Sequence, residues 1–429
     1  MPRRSTRRDF LQNAAALSSV VWVSGAPPLR ANSPNEKLNI GSIGVGGRGH
    51  GDMRRVATEN IVAICDVDEQ RLEVATEVAP KAKKYIDYRE LLQQENLDAV
   101  TIGTPDHHHA PAAMRALRRG LHVYCEKPLT HTVREARLLA ETAAEKGLAT
   151  QMGTQNHQHP GYVKAVEMIQ GGVIGNVHEV HVITDRPGTF WKQGLTVPTD
   201  KHEVPEHFHW DLWLGPAQDR DFHPVYAPRS WRGWWDFGCG AIGDMAIHLM
   251  DPSFWALDLG GPVKVTSTGP EVLPDAGPTS MISTFEFGQR GKLAPCKVVW
   301  YEGEAGTPEE YKDLLPMNGS LFIGDQGMIS VQHGQAPVLH QGGEVQNQEI
   351  AEEFSDRHQH QQWIDACKTG SATGSNFGYA GPFTETVLLG NVAYRVGKPI
   401  EYDPATMKVT NVPEANALLD KEYRVGWEV

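Results

Sequence analysis

Short apolar runs alternate with helix-like spacings of apolar residues between Leu38 and Met152. Continuous apolar runs indicate buried strands, whereas apolar residues three and four positions apart indicate helices with one buried face. Strands are predicted at Leu38–Ile43, Ile61–Cys65, Ala99–Ile102, His122–Cys125 and Ala149–Met152. Helices are predicted at Arg71–Ala79, Ala110–Arg119 and Val133–Lys146. This alternation is typical of a doubly wound parallel sheet with helices on both faces.

The pattern changes after Gly153. A helix predicted over Tyr162–Ile169 and a strand over Val177–Thr184 lead into an irregular stretch, roughly 187–240. Later elements are predicted at Val263–Thr268, Met281–Phe287, Lys297–Tyr301, Ser320–Ile323 and Met328–Val331 as strands and at Glu385–Val396 as a helix. The turn 324–327 would join the last two strands as a hairpin. We therefore expect a second, α+β domain with a large open, mostly antiparallel sheet.

A glycine-rich turn follows the first strand directly. Gly44, Gly46 and Gly49 fit the pattern G-x-G-x-x-G, with Gly47 and Arg48 inside the turn. Such glycines allow a tight turn, a close approach of backbone N–H groups to a pyrophosphate, and close packing of the following helix. Asp66 ends the second strand, where a carboxylate can bind ribose hydroxyls and repel a 2′-phosphate. The motif predicts a Rossmann domain that binds NAD in preference to NADP.

The first 31 residues have a different character. The segment STRRDFLQ at positions 5–12 matches a twin-arginine export signal, and the apolar stretch behind it is too short for a stable membrane anchor. We expect residues 1–31 to be a signal peptide and the mature protein to be periplasmic. Twin-arginine transport moves folded proteins, and no obvious pool of free NAD exists outside the cytoplasm. The cofactor is therefore expected to be tightly bound.

Charge and cysteine usage exclude some partners. The chain carries 53 acidic and 40 basic residues, a net charge of −13, and becomes more negative without its basic N-terminus. A negative surface argues against nucleic-acid binding, which depends on basic patches. No later segment is long and apolar enough for stable membrane insertion. The five cysteines are widely spaced, so no disulfide is required.

Candidate chemistry follows two of the predicted strands and one later helix. Three adjacent histidines at 107–109 could suggest a metal, but consecutive positions cannot easily converge on one ion, and no metal site is expected. Asp244 and His248 are four residues apart, so on a helix both would lie on one face. A carboxylate beside an imidazole suits a general base that removes a hydroxyl proton.

From Leu38 onward the chain resembles the glucose–fructose oxidoreductase/inositol dehydrogenase family (Gfo/Idh/MocA). The residues that carry this resemblance are Gly44, Gly46, Gly49, Asp66, Thr104, Pro105, His107, His109, Glu126, Lys127, Pro128, Asp244 and His248. The resemblance implies an NAD-binding Rossmann domain at residues 36–155. It implies a substrate-binding and oligomerisation domain at 156–429, whose open sheet forms a dimer or tetramer interface.

The resemblance also implies roles for these residues. Thr104, Pro105, His107, His109, Glu126 and Lys127 would join the glycine turn and Asp66 around NAD. Lys127 would lie between the nicotinamide and the reacting hydroxyl, and the peptide before Pro128 would be cis. His248 would take the hydroxyl proton while a hydride leaves the same carbon. Asp244 would orient His248 and bind a neighbouring hydroxyl.

The irregular stretch leaves the substrate open. It contains six tryptophans, Trp191, Trp210, Trp213, Trp231, Trp234 and Trp235, which would either stack on a sugar or fill a core or an interface. It also contains four histidines, His202, His207, His209 and His223, which would either bind a second metal or be polar surface residues.

Three functions compete at this stage. The first is an oxidoreductase that acts on a secondary hydroxyl of a sugar or polyol. The second is a redox-neutral glycosidase or lyase that oxidises its sugar transiently, which would suit an exported enzyme; Lys127 argues against it, because some relatives of that type lack the lysine. The third is a binding protein that kept the fold without turnover.

Overall fold

The computed structural model describes residues 36–93, 96–350 and 357–429, so the predicted export signal lies outside the described residues. Six parallel strands form the first sheet in the order β3-β2-β1-β4-β5-β6. They are β1 (Asn39–Ile43), β2 (Asn60–Cys65), β3 (Lys83–Tyr85), β4 (Ala99–Ile102), β5 (His122–Glu126) and β6 (Thr150–Gly153). The predicted parallel sheet is confirmed. β3 escaped prediction because only one of its three residues is buried.

Helices cover this sheet and connect its strands. They are α1 (Gly47–Arg55), α2 (Glu69–Ala75), α3 (Tyr88–Leu91), α4 (His109–Arg118) and α5 (Val133–Lys146). α5 has the predicted bounds because both of its ends are capped: Thr132 and Glu135 form a reciprocal capping box, and Gly147 ends the helix with a φ of 62°.

The second sheet has ten strands in the order β14-β13-β12-β11-β7-β10-β9-β8-β15-β16. They are β7 (Val177–Thr184), β8 (Lys264–Thr268), β9 (Ser280–Phe287), β10 (Cys296–Gly303), β11 (Gly319–Gly324), β12 (Gly327–Gln332), β13 (Pro337–Gln341), β14 (Glu344–Asn347), β15 (Ile400–Asp403) and β16 (Lys408–Val409). Among the described strands of this sheet, only β7 and β10 pair in parallel, so the predicted, mostly antiparallel sheet is confirmed. The predicted hairpin is confirmed as well, with Gly324 opposite Gly327.

The helices of the second half are α6 (Pro160–Gln170), α7 (Trp210–Leu214), α8 (Ile247–Leu249), α9 (Asp251–Ala256), α10 (Arg357–Thr369) and α11 (Phe377–Val396). A π-helical turn, Ile242–Ala246, runs directly into α8. α11 begins eight residues earlier than predicted, where the Asn376 side chain accepts a hydrogen bond from the Tyr379 N–H. Among the described residues, no helix combines the length and the apolar character needed to cross a membrane.

The last part of the chain returns to the first sheet. In α10, His360 Nε2 lies 3.1 Å from Asp52 Oδ1, and Lys368 Nζ lies 2.8 Å from Glu59 Oε1. Near the C-terminus the buried Trp427 ring lies 4.0 Å from the Arg89 guanidinium. The C-terminal segments therefore pack against the Rossmann sheet, a contact that the linear division at residue 155 did not predict.

Candidate active site

The glycine turn between β1 and α1 leaves no room for side chains at two positions. Gly44 has a φ of 73°, and a Cβ there would lie 2.7 Å from the Thr104 backbone nitrogen. A Cβ on Gly49 would overlap the Gly44 carbonyl oxygen. Gly103, which belongs to no motif, closes the contact from β4, because a Cβ there would lie 2.5 Å from the Gly49 Cα. The start of α1 is thus pressed against the end of β4, as a dinucleotide-binding turn requires.

Asp66 holds this turn from the end of β2. Its Oδ2 accepts hydrogen bonds from the N–H groups of Val45 at 3.0 Å and Gly46 at 3.2 Å, and its Oδ1 accepts one from Asp68 N–H at 3.1 Å. Burial raises the pKa of Asp66, while the positive charge of Arg71 opposes the rise. The carboxylate lies beside the turn, where the predicted contact to ribose needs it.

The N-terminus of α1 fits a pyrophosphate. Gly46 is the N-cap residue and has no side chain to occupy the first N–H groups of the helix. Gly47 has a φ of 52°, and the space where its Cβ would lie is open. Across the turn, Thr104 Oγ1 is buried without a hydrogen-bond partner among the described residues. Free N–H groups at a helix N-terminus favour phosphate, so the residues present fit NAD.

Arg48 and Glu126 connect the glycine turn to the end of β5. Arg48 Nε lies 3.1 Å from Glu126 Oε1 and 3.2 Å from Asp52 Oδ1, and Gln155 Nε2 donates to Glu126 Oε1 at 2.9 Å. Burial and the negative charge of Asp52 raise the pKa of Glu126 to about 7, against the effect of Arg48. This network positions the residue that follows Glu126, which is Lys127.

Lys127 reaches the residues of the second domain. Its Nζ lies 2.7 Å from Asp244 Oδ1, and Arg232 Nε lies 2.7 Å from Asp244 Oδ2. Burial alone would raise the pKa of Asp244, but the two cations outweigh it and hold that pKa well below its usual range. The Lys127–Pro128 peptide is cis, as the family resemblance implies. Arg232 belongs to no recognisable motif, and only the tertiary structure brings it to Asp244.

Asp244 lies in the π-helical turn, which departs from the regular helix expected there. A Cβ on Gly243 would overlap the Cys239 Cβ, so this wider turn depends on a glycine. Cys239 N–H donates at 3.1 Å to Asp106 Oδ2, which anchors the turn to the loop after β4. Such π-turns are frequent at functional sites.

His248 lies one turn beyond Asp244 but forms no hydrogen bond with it in the described part of the chain. Its Nδ1 is buried and has no hydrogen-bond partner among the described residues. The expected orienting hydrogen bond is therefore absent from the described part of the chain, and the two oxygens of Asp244 pair with Lys127 and Arg232 instead. The His248 ring instead meets the edge of His333, at 5.4 Å between centroids. Burial and the charge of Lys127 lower the pKa of His248 well below its usual range, so the imidazole is neutral.

The three adjacent histidines are buried and face carbonyl oxygens of the chain. His109 Nε2 lies 2.9 Å from the Thr104 carbonyl and Nδ1 lies 2.7 Å from the Pro128 carbonyl. His107 and His108 both have Nε2 within 3.0 Å of the Trp213 carbonyl. Through these contacts the histidines join the loops after β4 and β5 to each other and to the second domain.

Two of the later histidines lie beside Asp66 and join the two domains. Glu69 N–H donates to the His207 carbonyl at 3.0 Å, and His209 N–H donates to the Val67 carbonyl at 2.9 Å. His209 Nε2 also lies 2.8 Å from Glu69 Oε1. The segment 207–209 thus pairs with the loop that follows Asp66.

The other two histidines, His202 and His223, lie close to Asp200. His202 Nε2 is 2.9 Å from Asp200 Oδ2, and His223 Nε2 is 3.4 Å from Asp200 Oδ1. The three side chains could offer ligand atoms to a metal. However, Val225 N–H donates to His223 Nδ1 at 3.0 Å, which places the ring proton on Nε2. A metal on Nε2 would need that proton on Nδ1, so hydrogen bonding accounts for this cluster better than metal ligation does.

The buried tryptophans of this stretch belong to core clusters, and two of them also border the site. Trp213 and Trp234 are buried in a cluster with Phe237, so they fill a core. Trp191 and Trp231 are also buried, but their rings lie 5.8 Å and 4.2 Å from the Arg232 guanidinium. These two therefore border the residues around Asp244.

Comparison with known proteins agrees with this geometry. Residues 38–154 match the Gfo/Idh/MocA oxidoreductase family model for an NAD-binding Rossmann fold, and residues 161–311 match the model for the family's C-terminal alpha/beta domain. Inositol 2-dehydrogenase 1 of Saccharopolyspora erythraea is 30% identical over 376 residues, which cover 86% of this chain and 97% of that enzyme.

Other matches are more partial. Inositol 2-dehydrogenase of Salmonella typhimurium is 30% identical over 202 residues, and the match spans 45% of this chain but only 59% of that enzyme. A glycosyl hydrolase family 109 protein of Shewanella pealeana is 28% identical over 200 residues, covering 40% of this chain and 44% of that protein. The crystal structure of aldose-aldose oxidoreductase from Caulobacter crescentus, complexed with glycerol, has a TM-score of 0.60 at 15% identity. It covers 85% of this chain and all of that one, and this likeness concerns the fold alone.

The long match at 30% identity, the two family models in the expected order and the glycine turn beside Asp66 agree. The chain belongs to the Gfo/Idh/MocA oxidoreductase family, and its cofactor is NAD.

Proposed function

We propose that this protein is an NAD-dependent oxidoreductase that acts on a secondary hydroxyl of a sugar or polyol. The observation that carries the proposal is the 2.7 Å contact between Lys127 and Asp244, formed beside a neutral, buried His248. The inositol dehydrogenases among the relatives support a polyhydroxylated substrate. NAD supplies the hydride acceptor when it is bound at the glycine turn.

The residues of the chain divide the remaining chemistry between them. Lys127 donates a hydrogen bond to the reacting hydroxyl oxygen and stabilises the negative charge that develops on it. Asp244 fixes the Lys127 ammonium group through their ion pair. His248 is unprotonated and accepts the hydroxyl proton, while the hydride leaves the same carbon and the alcohol becomes a ketone. The alcohol thus loses one proton to His248 and one hydride, which carries both electrons, to the bound nicotinamide.

The test removes each group in turn. We expect Lys127→Ala and His248→Ala each to lower turnover by about 10²–10⁴-fold, the usual effect of a lost acid/base or charge-stabilising group. Absorbance of the reduced nicotinamide would be followed with a panel of sugars and polyols. Lys146→Ala, at an exposed position, and His178→Ala, half exposed, serve as matched controls. Near-normal turnover in both active-site variants would overturn these roles.

A redox-neutral glycosidase is the second candidate, favoured by the partial match to the glycosyl hydrolase family 109 protein. Such an enzyme would oxidise a sugar hydroxyl, eliminate the glycosidic substituent, add water and then reduce the sugar again. The two functions differ in the net change of the cofactor's oxidation state. A glycosidase would cleave a glycoside with only a transient change in nicotinamide absorbance. Tight sugar binding without any turnover would instead indicate a binding protein.

We further propose that NAD is held tightly and that the segment 207–209 helps to retain it. This segment pairs with residues 67–69, directly after the carboxylate expected at the adenosine ribose. An exported enzyme would benefit from such retention. The export proposal has its own test, since replacing Arg7 and Arg8 with lysine is expected to abolish delivery to the periplasm.

We also propose a homo-oligomer formed through the ten-stranded sheet. The resemblance to the family supports this assembly, because the open sheet of its members often forms the oligomer interface. Light scattering of the purified mature protein is expected to give the mass of a dimer or a tetramer, and a monomeric mass at micromolar concentration would exclude it.

A further inference from the structure

Two cations share one carboxylate at the candidate hydroxyl site. Asp244 is bound by both Lys127 and Arg232, so one carboxylate faces two cations. The Lys127 and Arg232 side chains are 12% and 23% exposed, and both are therefore partly shielded from water. A partly desolvated cation without a full counter-charge favours an anionic ligand.

Two more arginines extend this charge along an aromatic wall. Arg232 lies 5.8 Å from the Trp191 ring, and Trp191 meets the edge of Phe190 at 6.0 Å. Phe190 is 53% exposed, and the guanidinium groups of Arg186 and Arg229 lie 4.9 Å and 5.8 Å from its ring. Three arginines thus follow one wall that begins at Asp244.

A second set of contacts leads to Arg186 from His248. The His248 ring meets His333, whose N–H donates to the Asn318 carbonyl at 2.8 Å. Asn318 Nδ2 in turn donates to Asp185 Oδ1 at 2.9 Å, and Asp185 precedes Arg186 in the chain. The first set of contacts thus reaches Arg186 through Phe190, and the second reaches its neighbour in the chain, Asp185.

The two outer arginines have no carboxylate partner among the described residues. Neither Arg186 nor Arg229 forms an ion pair with another described residue, and the carboxylate of Asp185 is engaged by Asn318. The charge of Arg186 also acts on the site, since it contributes, after burial, to lowering the pKa of His333 to about 4.

We propose that the substrate is an acidic sugar, whose anionic group is bound by Arg186 with Arg229 beside it while the reacting hydroxyl lies at Lys127. This proposal rests on the proposed function and adds the substrate class. The planar guanidinium binds a carboxylate or a phosphate through two parallel hydrogen bonds, so a uronate and a sugar phosphate share the required chemistry. A neutral sugar would leave Arg186 without a counter-charge.

The experiment compares sugars that differ only in the group at C6, which is neutral in one and anionic in the others. D-glucose, D-glucuronate and D-glucose 6-phosphate would be assayed with the NAD-loaded mature protein, together with galactose and galacturonate. We expect kcat/KM to be about 30-fold higher for one of the anionic forms than for the neutral sugar. This is the factor that one charge-assisted hydrogen bond usually contributes to binding. A preference for the uronates identifies a carboxylate, and a preference for the 6-phosphate identifies a phosphate ester.

Variants assign the effect to Arg186. Arg186→Gln is expected to remove the preference, mainly by raising KM for the anionic sugar. Arg186→Lys should restore part of the preference for the anionic sugar, because a lysine keeps the positive charge but lacks the two parallel N–H donors of the guanidinium. Arg118→Gln, at an exposed position on α4, is the matched control. Equal kcat/KM values for neutral and anionic sugars in the wild-type protein would overturn the proposal.

A binding measurement separates this proposal from the oxidoreductase proposal. Ligand-induced stabilisation against heat would be measured with the Lys127→Ala protein, which needs no turnover. Stabilisation by an anionic sugar that disappears in Lys127→Ala/Arg186→Gln supports the anion site even if no substrate reduces NAD. Equal stabilisation by neutral and anionic sugars rejects it even if neutral sugars are oxidised.

Discussion

The segment 207–209 gives the sharpest prediction about cofactor retention. Replacing His209 with proline removes the N–H that donates to the Val67 carbonyl at 2.9 Å and the 2.8 Å pair with Glu69. The backbone can accept the change, because His209 has a φ of −87° and Phe208 forms a strand-like bridge with Asp68. The substitution therefore weakens the contact between the domains without forcing a new backbone conformation.

The magnitude follows from the two interactions that are lost. One backbone hydrogen bond contributes about 1 kcal/mol, and an exposed ion pair contributes at most about 1 kcal/mol. Since about 1.4 kcal/mol corresponds to a factor of ten, NAD release is expected to be about 5–30 times faster in His209→Pro. His209→Gln keeps the N–H and loses only the side-chain pair, so its release should be less than about fivefold faster.

The assay loads the protein with NADH and mixes it with excess NAD while nicotinamide fluorescence is recorded. A single cooperative unfolding transition in each variant would show that the fold is intact. A release rate for His209→Pro within twofold of the wild type would refute the proposed role of this segment. A rate for His209→Gln equal to that of His209→Pro would show that the side chain, and not the backbone pairing, holds the cofactor.

Three further predictions concern the glycine turn and its surroundings. Gly103→Ala places a Cβ 2.5 Å from the Gly49 Cα, so it should destabilise the protein by about 1–3 kcal/mol and weaken NAD binding. Denaturation would measure the first effect and titration with NAD the second. Gly260→Ala, where the Cβ would lie in open space, should show neither effect. Asp66→Ser should shift the preference toward NADP by about tenfold through loss of like-charge repulsion, measured as the ratio of the two dissociation constants; an unchanged ratio would reject its role. Burial raises the pKa of Asp106 from 3.8 to about 7, so the carboxyl group binds its proton more tightly in the folded state than in the unfolded state. The folded state therefore loses stability as the pH rises from about 4 through 7. Asp106→Asn should therefore gain unfolding temperature relative to the wild type at pH 8 but not at pH 4, and a pH-independent difference would contradict this reasoning.

Local pattern was sufficient for much of the fold. Helix α5 and strand β4 have their predicted bounds, because a capping box and a continuous apolar run are properties of neighbouring residues. The short edge strand β3 and the polar strand β14 were missed, since most of their residues are exposed and carry no periodic apolar signal. Their pairing depends on the strand beside them.

The candidate site divides in the same way. The glycine turn and Asp66 are recognisable in the sequence because a dinucleotide imposes a fixed spacing on one βα unit and the strand that follows it. Arg232 carries no such spacing, and neither does Arg186, whose place near the site depends on contacts through Phe190 and His333.

The sequence by itself determined the family, the NAD-binding turn and the motif that contains Lys127, because each depends on residues close together in the chain. Only the tertiary structure decided that Asp244 pairs with two cations while His248 Nδ1 has no hydrogen-bond partner among the described residues. It also decided that the segment 207–209 returns to the loop after Asp66. The physical reason is that these contacts join residues from different elements. Which oxygen meets which cation depends on how the two sheets pack together, and no local pattern of residues encodes that packing.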